Sequence, residues 1–226
     1  MLSGKKILVT AGGTTEYIDE VRVMTNTSTG TTGAVIATEL YNAGADVHFV
    51  HGIHSMLPIE RVARYPVMSA RDACSKMELL VRAQKIDAVV HAMAVSDFTF
   101  DSKSEVKCKS CDPEAFIEYM RKTICMNPKI ISQVKLWRPE TILIGFKYEV
   151  GLTDEMLDEL AQNSINSNGC DLVIANDKKT IDRAGTHVAR FVYAKKGHDC
   201  GFSDFTVLGN ENIAKSIIRF LELILK

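Results

Sequence analysis

An α/β fold with a mostly parallel sheet follows from the way strand-like and helix-like runs alternate along this chain. Short runs rich in β-branched residues recur at Lys6–Thr10, Asp46–His51, Asp87–Val95, Thr141–Lys147, Asp171–Asn176 and Arg190–Ala194. Segments with helical spacing lie between them. Near-continuous hydrophobicity, as in Ala88-Val89-Val90, is what a strand covered on both faces requires. Together these features predict a three-layer, Rossmann-like architecture with helices on both faces, built as a single domain over residues 1–226.

Taken in order, the first run leads into a glycine turn at Gly12-Gly13-Thr14. The chain then passes Asp19, Arg22 and Asn26 and opens a helix within Ser28-Thr29-Gly30-Thr31-Thr32-Gly33. Gly33–Ala43 places Ile36, Leu40 and Ala43 on one helical face, and Asn42-Ala43-Gly44 supplies the stop. Arg61–Val67 adds a strand that Pro66 confines to an edge or an end. Ala70–Gln84 is helical with Met77 and Leu80 inward, and Ile213, Ile217, Leu221 and Ile224 mark a last helix packed on the sheet. Trp137 packs at the end of the helix before Arg138-Pro139. The rhythm lapses from Asp97 to about Met126, which is polar, carries Lys103, Lys107, Lys109, Arg121 and Lys122, and shows no clear strand. Following a strand end directly, residues 97–126 read as a lid or dimer-interface segment rather than a separate domain.

Composition excludes several classes. A formal charge of −1 gives no bulk attraction to nucleic acid or to an anionic membrane, so an anion site has to be built locally. No apolar run approaches a bilayer span, and Met1-Leu2-Ser3-Gly4-Lys5-Lys6 leads into a strand without a secretory apolar region. The cysteines form no small disulfide framework, which fits reduced thiols and a cytoplasmic setting. Cys108-Lys109-Ser110-Cys111 is a lone CxxC without the second pair a structural zinc site wants, and Cys125 does not supply it. His48, His51 and His54 are spaced three apart, but on a strand the first two face opposite ways, which argues against a metal site.

In an open α/β sheet, ligands bind beyond the carboxyl ends of the strands. That rule selects Ala11–Thr14, Ala92–Phe98, Gly145–Glu149 and Asn176-Asp177. Glycines allow a ligand close to the backbone, and helix-start N–H groups favour anions. Gly12 and Gly13 beside Gly30 and Gly33 therefore suggest a phosphate-bearing ligand. Arg22 suits a terminal phosphate or carboxylate, or a surface ion pair with Asp19 or Glu20. Asn26 offers an uncharged amide donor, although an asparagine before a helix also serves turns and caps.

The stretches AGGTTEYIDEVRVMTNTSTGTTG, HAMAVSDF, GFK and DLVIAND, in this order and spacing, resemble phosphopantothenoylcysteine synthetase, the amide-forming ligase of coenzyme A synthesis. The resemblance is dense before Gly33 and around Ala92–Phe98. It implies the free-standing form, because the chain has no room for the flavin-dependent decarboxylase domain to which many bacterial versions are fused. The implied reaction joins 4′-phosphopantothenate to L-cysteine through an acyl-nucleotidylate, with CTP ranked ahead of ATP and Mg2+ on the phosphates. It further implies a homodimer with a pocket completed across the two-fold interface.

On the matching positions, Asn26 stabilises the acyl-nucleotidylate and Arg22 reaches the pantothenate phosphate across the dimer. Met93, Ala94 and Asp97 hold phosphopantothenate. Gly12, Gly13, Thr14, Ser28, Gly30 and Gly33 cradle the triphosphate. Gly145, Phe146, Lys147 and Asn176 serve the nucleotide, Phe146 by stacking and Asn176 by hydrogen bonding. The chain departs from the family pattern twice. A lysine usual in the helix before DLVIAND is absent from Ala161-Gln162-Asn163-Ser164-Ile165-Asn166, and Asn210 stands near a second. Lys147, Lys178, Lys179, Lys195 and Lys196 are candidate replacements. A catalytically silent nucleotide-binding protein of the same fold remains a second reading. A nicotinamide-dependent reductase is a third, though its G-x-G-x-x-G turn and Tyr-x-x-x-Lys pair are both missing.

Overall fold

The computed structural model describes residues 1–59, 61–101, 112–194 and 204–226. Its strands are β1 (Lys6–Ala11), β2 (Thr15–Tyr17), β3 (Val23–Thr25), β4 (Asp46–Gly52), β5 (Ala63–Val67), β6 (Ala88–His91), β7 (Phe98–Phe100), β8 (Ile124–Met126), β9 (Ile142–Glu149), β10 (Leu172–Asp177), β11 (Val188–Tyr193) and β12 (Phe205–Leu208). The helices are α1 (Thr31–Asn42), α2 (Ala70–Ala83), α3 (Pro113–Thr123), α4 (Ile130–Trp137), α5 (Asp154–Asn168), α6 (Lys178–Ala184) and α7 (Asn210–Ile224).

Eight strands form one sheet in the order β12-β11-β10-β9-β6-β1-β4-β5. The six from β10 to β5 run parallel, and β11 turns back antiparallel on β10 and on β12. Period-two alternation divides the core between the two faces. Ile7, Val9, Val90 and Ile174 face α1 and α7, whereas Leu8, Val89, Leu143 and Val173 face α2, α4 and α5. The expected three-layer arrangement is therefore present. β5 lies at the sheet edge, where Pro66, paired opposite His51, has no outer neighbour to deprive of a donor. Trp137 closes α4 and is buried, as its position predicted.

Local chemistry explains the boundaries. Ser69 caps α2 with a complete capping box to Asp72, and Gly44 follows α1 with a φ of +90°. Two expectations need correction. The strand expected over Asp87–Val95 ends at His91, because Ala94 leaves the sheet to bridge Gly13. Residues 97–126 do contain strands, as β7 pairs antiparallel with β8, and α3 packs nearby. The CxxC cysteines, Lys103, Lys107 and Lys109 lie outside the described residues.

Candidate active site at the strand ends

The chain leaves β1 for β4 on one side and later enters β6 on the other, so the switch point lies between β1 and β6. After β1, Gly12 adopts a φ of +77° and turns the chain across the end of β6. Ala94 N donates to Gly12 O at 2.8 Å and Thr14 N donates to Ala94 O at 3.2 Å. Thr14 is fully buried, and its Oγ1 accepts from Ser96 N at 2.9 Å. Its hydroxyl thus holds residues 94–96 in place. Met93 is buried, with its N–H donating to Thr10 Oγ1 at 3.1 Å, while Asp97 is exposed.

The cradle glycines are demanded by backbone approach. A Cβ on Gly13 would lie 2.8 Å from Asn26 O, and one on Gly33 2.6 Å from the Ala11 Cβ. Gly12 and Gly30 both abut Ser55, in the turn after β4, a participant no motif announced. Gly30 is the N-cap of α1, in left-handed conformation with no side chain to cap the helix, and the first turn carries no acidic residue. This helix start, with Ser28 half-buried just before it, is electrostatically open to an anion.

Asn26 is exposed, and its Nδ2 donates to Ala94 O and Val95 O, each at 3.2 Å. Two carbonyl acceptors fix the carboxamide with nitrogen toward residues 94–95. Arg22 sits 3.9 Å from the buried Asp19 carboxylate, with its guanidinium 5.3 Å over the Phe116 ring of α3. Asp19 also accepts from Val21 N and Arg22 N at 2.8 Å, so it holds the β2–β3 turn that carries Arg22.

The nucleotide-side residues lie on adjoining strands. Gly145 is buried in β9, where a Cβ would come within 2.9 Å of Ile131 Cδ1 and 3.2 Å of Cys170 Sγ. That contact faces α4, so the glycine is required by packing. Phe146, on the opposite face, is half-buried against the α1 and α7 side of the core. Lys147 pairs with Glu149 at 2.8 Å and Lys178 with Asp182 at 2.6 Å. Lys179 lies over Gly151, and Lys195 and Lys196 fall outside the described residues. Asn163 is exposed on α5, and Asn210 Oδ1 accepts from Thr32 Oγ1 at 3.0 Å. Asn176 is buried, and its Nδ2 donates to Val188 O at 2.8 Å.

Sequence reasoning missed Thr10, His91, Ser55 and His187, all at this end of the sheet. His91 Nδ1 lies 2.9 Å from Thr10 Oγ1, and burial pushes its imidazole down to about 4. Of these, His91 opens the HAMAVSDF stretch but was not singled out, because each acts through a partner remote in sequence.

An α/β domain with a mostly parallel sheet, two glycine turns and a fixed carboxamide at its switch point is of the Rossmann-like class. The chain is a member of the family described as DNA/pantothenate metabolism flavoprotein C-terminal domain, whose profile matches residues 2–222. The coenzyme A biosynthesis bifunctional protein CoaBC of Thermococcus kodakarensis is 40% identical over 180 residues, which is 80% of this chain and 43% of that protein. CoaBC of Bacillus subtilis is 31% identical over 201 residues, or 87% of this chain and 47% of that protein. The chain thus spans less than half the length of these curated relatives. Among solved structures, the DNA/pantothenate metabolism flavoprotein from Streptococcus pneumoniae superposes with a TM-score of 0.83 at 32% identity, covering 97% of this chain and 99% of that one. A Cab2 variant in complex with phosphopantothenate-cysteine matches at a TM-score of 0.74 and 18% identity, covering 98% of this chain and 87% of that one, and shares the fold. The family expected from the sequence motifs is the family found.

Proposed function

We propose that the chain joins 4′-phosphopantothenate to L-cysteine through an acyl-nucleotidylate, in coenzyme A biosynthesis. The observation that carries this reading is the switch-point crevice, where an uncapped helix start faces one glycine turn and Asn26 stands over residues 94–95. Membership in a family whose curated relatives are named for coenzyme A biosynthesis supports it.

In this reading the substrate carboxylate attacks the α-phosphorus of CTP, or of ATP, and pyrophosphate leaves. Cysteine's amine then adds to the acyl carbon and the nucleoside monophosphate departs. Gly12, Gly13, Thr14, Ser28, Gly30 and Gly33 shape the triphosphate's bed, chiefly through glycine backbone N–H groups, since Thr14 gives its N–H to Ala94 O and its hydroxyl accepts from Ser96 N. Gly145 and Phe146 shape the nucleoside side, and Lys147 serves it once released from Glu149. Met93, Ala94 and Asp97 line the pantothenate side. Asn26 exchanges a carbonyl for the oxygen on which charge develops as the amine adds, a donor of a kind worth about 3 kcal/mol. Among the described residues, no three His, Cys, Asp or Glu side chains form a metal cluster, so these residues offer Mg2+ no cage of their own. The ion belongs to the triphosphate oxygens.

A homodimer and a cytoplasmic setting belong to the same reading. No helix among the described residues is long and apolar enough to cross a membrane. The silent alternative draws its support from the missing lysines and from the acidic partners of Lys147 and Lys178.

One assay separates them. The protein is incubated with phosphopantothenate, cysteine, Mg2+ and either CTP or ATP, and pyrophosphate is followed. Release that requires phosphopantothenate is expected, and nucleotide binding without release would favour the silent reading. Asn26→Asp, which sets a like charge against the developing oxyanion, is expected to accumulate acyl-nucleotidylate and slow amide formation about 100-fold. Normal turnover by that variant would remove Asn26 from its role.

A further inference from the structure

Four polar side chains from four parts of the fold meet behind the nucleotide side of the crevice: Asn176 of β10, His187 before β11, Thr32 of α1 and Asn210 of α7. Their hydrogen bonds run in one direction only. A backbone carbonyl can only accept, so the 2.8 Å contact to Val188 O fixes which end of the Asn176 carboxamide is nitrogen. The same Nδ2 lies 2.9 Å from His187 Nε2, which must then be the unprotonated, accepting nitrogen. The ring proton consequently sits on Nδ1, facing Thr32 Oγ1 at 3.3 Å, and the threonine hydroxyl passes its own proton to Asn210 Oδ1 at 3.0 Å. Burial lowers the His187 pKa, in keeping with a neutral ring.

With both N–H groups turned toward His187 and Val188, the group Asn176 retains for a ligand is Oδ1, which receives no donor among the described residues. We propose that His187 is the positioning residue of the nucleotide side. It locks Asn176 as a hydrogen-bond acceptor for a base bearing an exocyclic amine and ties that reader to the first turn of α1. This rests on the proposed ligase reading and on the nucleotide-binding role that the family resemblance gives Asn176. An amine on cytosine or adenine donates to a fixed oxygen. The oxo group of uracil or hypoxanthine sets two acceptors face to face, and neither can be satisfied. Without His187, a single neutral hydrogen bond to Val188 O opposes a flip of the carboxamide, too little to exclude the reversed orientation when a base presents an acceptor.

The test pairs nucleotides that differ at this group, CTP with UTP and ATP with ITP, so that it does not depend on which base the enzyme uses. The amino member of the productive pair is expected to be favoured about 100-fold in kcat/KM, the difference residing in KM. His187→Leu should reduce that preference below about tenfold, and His187→Gln, able to accept from Asn176 and donate to Thr32, should restore it. Nitrogen-15 spectra of the unmodified protein read the tautomer directly, whether or not the variants fold, and a proton on Nε2 overturns the inference. Indifference of the unmodified enzyme within both pairs, or a preference untouched in a folded His187→Leu, overturns it while the ligase reading stands. Equilibrium binding of the same four nucleotides covers a protein that binds without turnover. Binding of none of them overturns the parent reading and this one together.

Discussion

Asn26 and Asn176 illustrate how little of a residue's role is visible before its partners are known. Each is an asparagine at a strand exit, yet both donate through Nδ2 to main-chain carbonyls, Asn26 to residues 94 and 95 and Asn176 to residue 188. His91 shows the same dependence in a titrating group. The unfolded chain leaves its imidazole near 6.5, whereas burial in the fold holds it down to about 4. Above 6.5 both states are neutral and the histidine has no effect on stability. As pH falls below that value, the unfolded state takes up a proton that the folded state refuses. Stability is therefore expected to fall by about 2 kcal/mol between pH 7 and pH 5 from this residue alone. Urea unfolding of the protein and of His91→Gln at both values checks it, since the variant should lose that part of the slope. The glycines were legible in sequence because a missing Cβ advertises close approach. Thr10 and His91 were not, because they sit 81 positions apart and only the parallel pairing of β1 with β6 joins them.

At the scale of elements, α1 is the piece on which the proposed triphosphate site depends, and Gly33 sets how closely it approaches β1. A methyl group there would meet the Ala11 Cβ at 2.6 Å and Thr10 O at 3.1 Å. Both belong to a central strand that has no room to yield. Alanine's better helix propensity, about 1 kcal/mol, opposes an overpacking cost of roughly 1–3 kcal/mol, so Gly33→Ala is expected to destabilise modestly. The larger effect should fall on binding, because the helix start is displaced from the Gly12 turn. A small drop in urea midpoint with a severalfold rise in nucleotide KM is the expected pair. A stabilised variant with unchanged KM would show that α1 can slide without consequence. The long elements could be read from the sequence because they carry many periodic positions: α2 shows an apolar stripe and a capping box, and β9 a buried run. The three-residue strands β2, β3, β7 and β8 span too few positions for a period to register. Their pairing is imposed by tertiary bonds such as Thr99 Oγ1 to the buried Glu16 carboxylate at 2.7 Å.

For the whole molecule, those same short strands raise the question of what covers them. The β2–β3 turn, the β7–β8 pair and α3 are linked by the Glu16 bond, by Tyr119 Oη donating to Ile18 O at 2.7 Å, and by Arg22 over Phe116. The unit so formed turns Val21, Val23, Phe98, Ile117, Ile124 and Met126 outward, with Met126 76% exposed and Val21 64%. Apolar residues grouped on one small unit, rather than scattered, are the surface the proposed homodimer would bury. A two-fold contact would cover it on both copies at once and would set Arg22 of one copy at the rim of the other's crevice. The proposed homodimer therefore predicts a sedimenting mass near twice the 25.0 kDa of one chain. Paired charges introduced by Val21→Glu and Met126→Glu should split it into monomers that keep their far-ultraviolet dichroism but lose turnover. Because residues 12–14 and 30–33 lie in a single chain, nucleotide binding by those monomers should persist while equilibrium binding of phosphopantothenate weakens. A native protein that sediments as a monomer at assay concentration and turns over fully would leave this apolar face without its partner and Arg22 without its role across the interface.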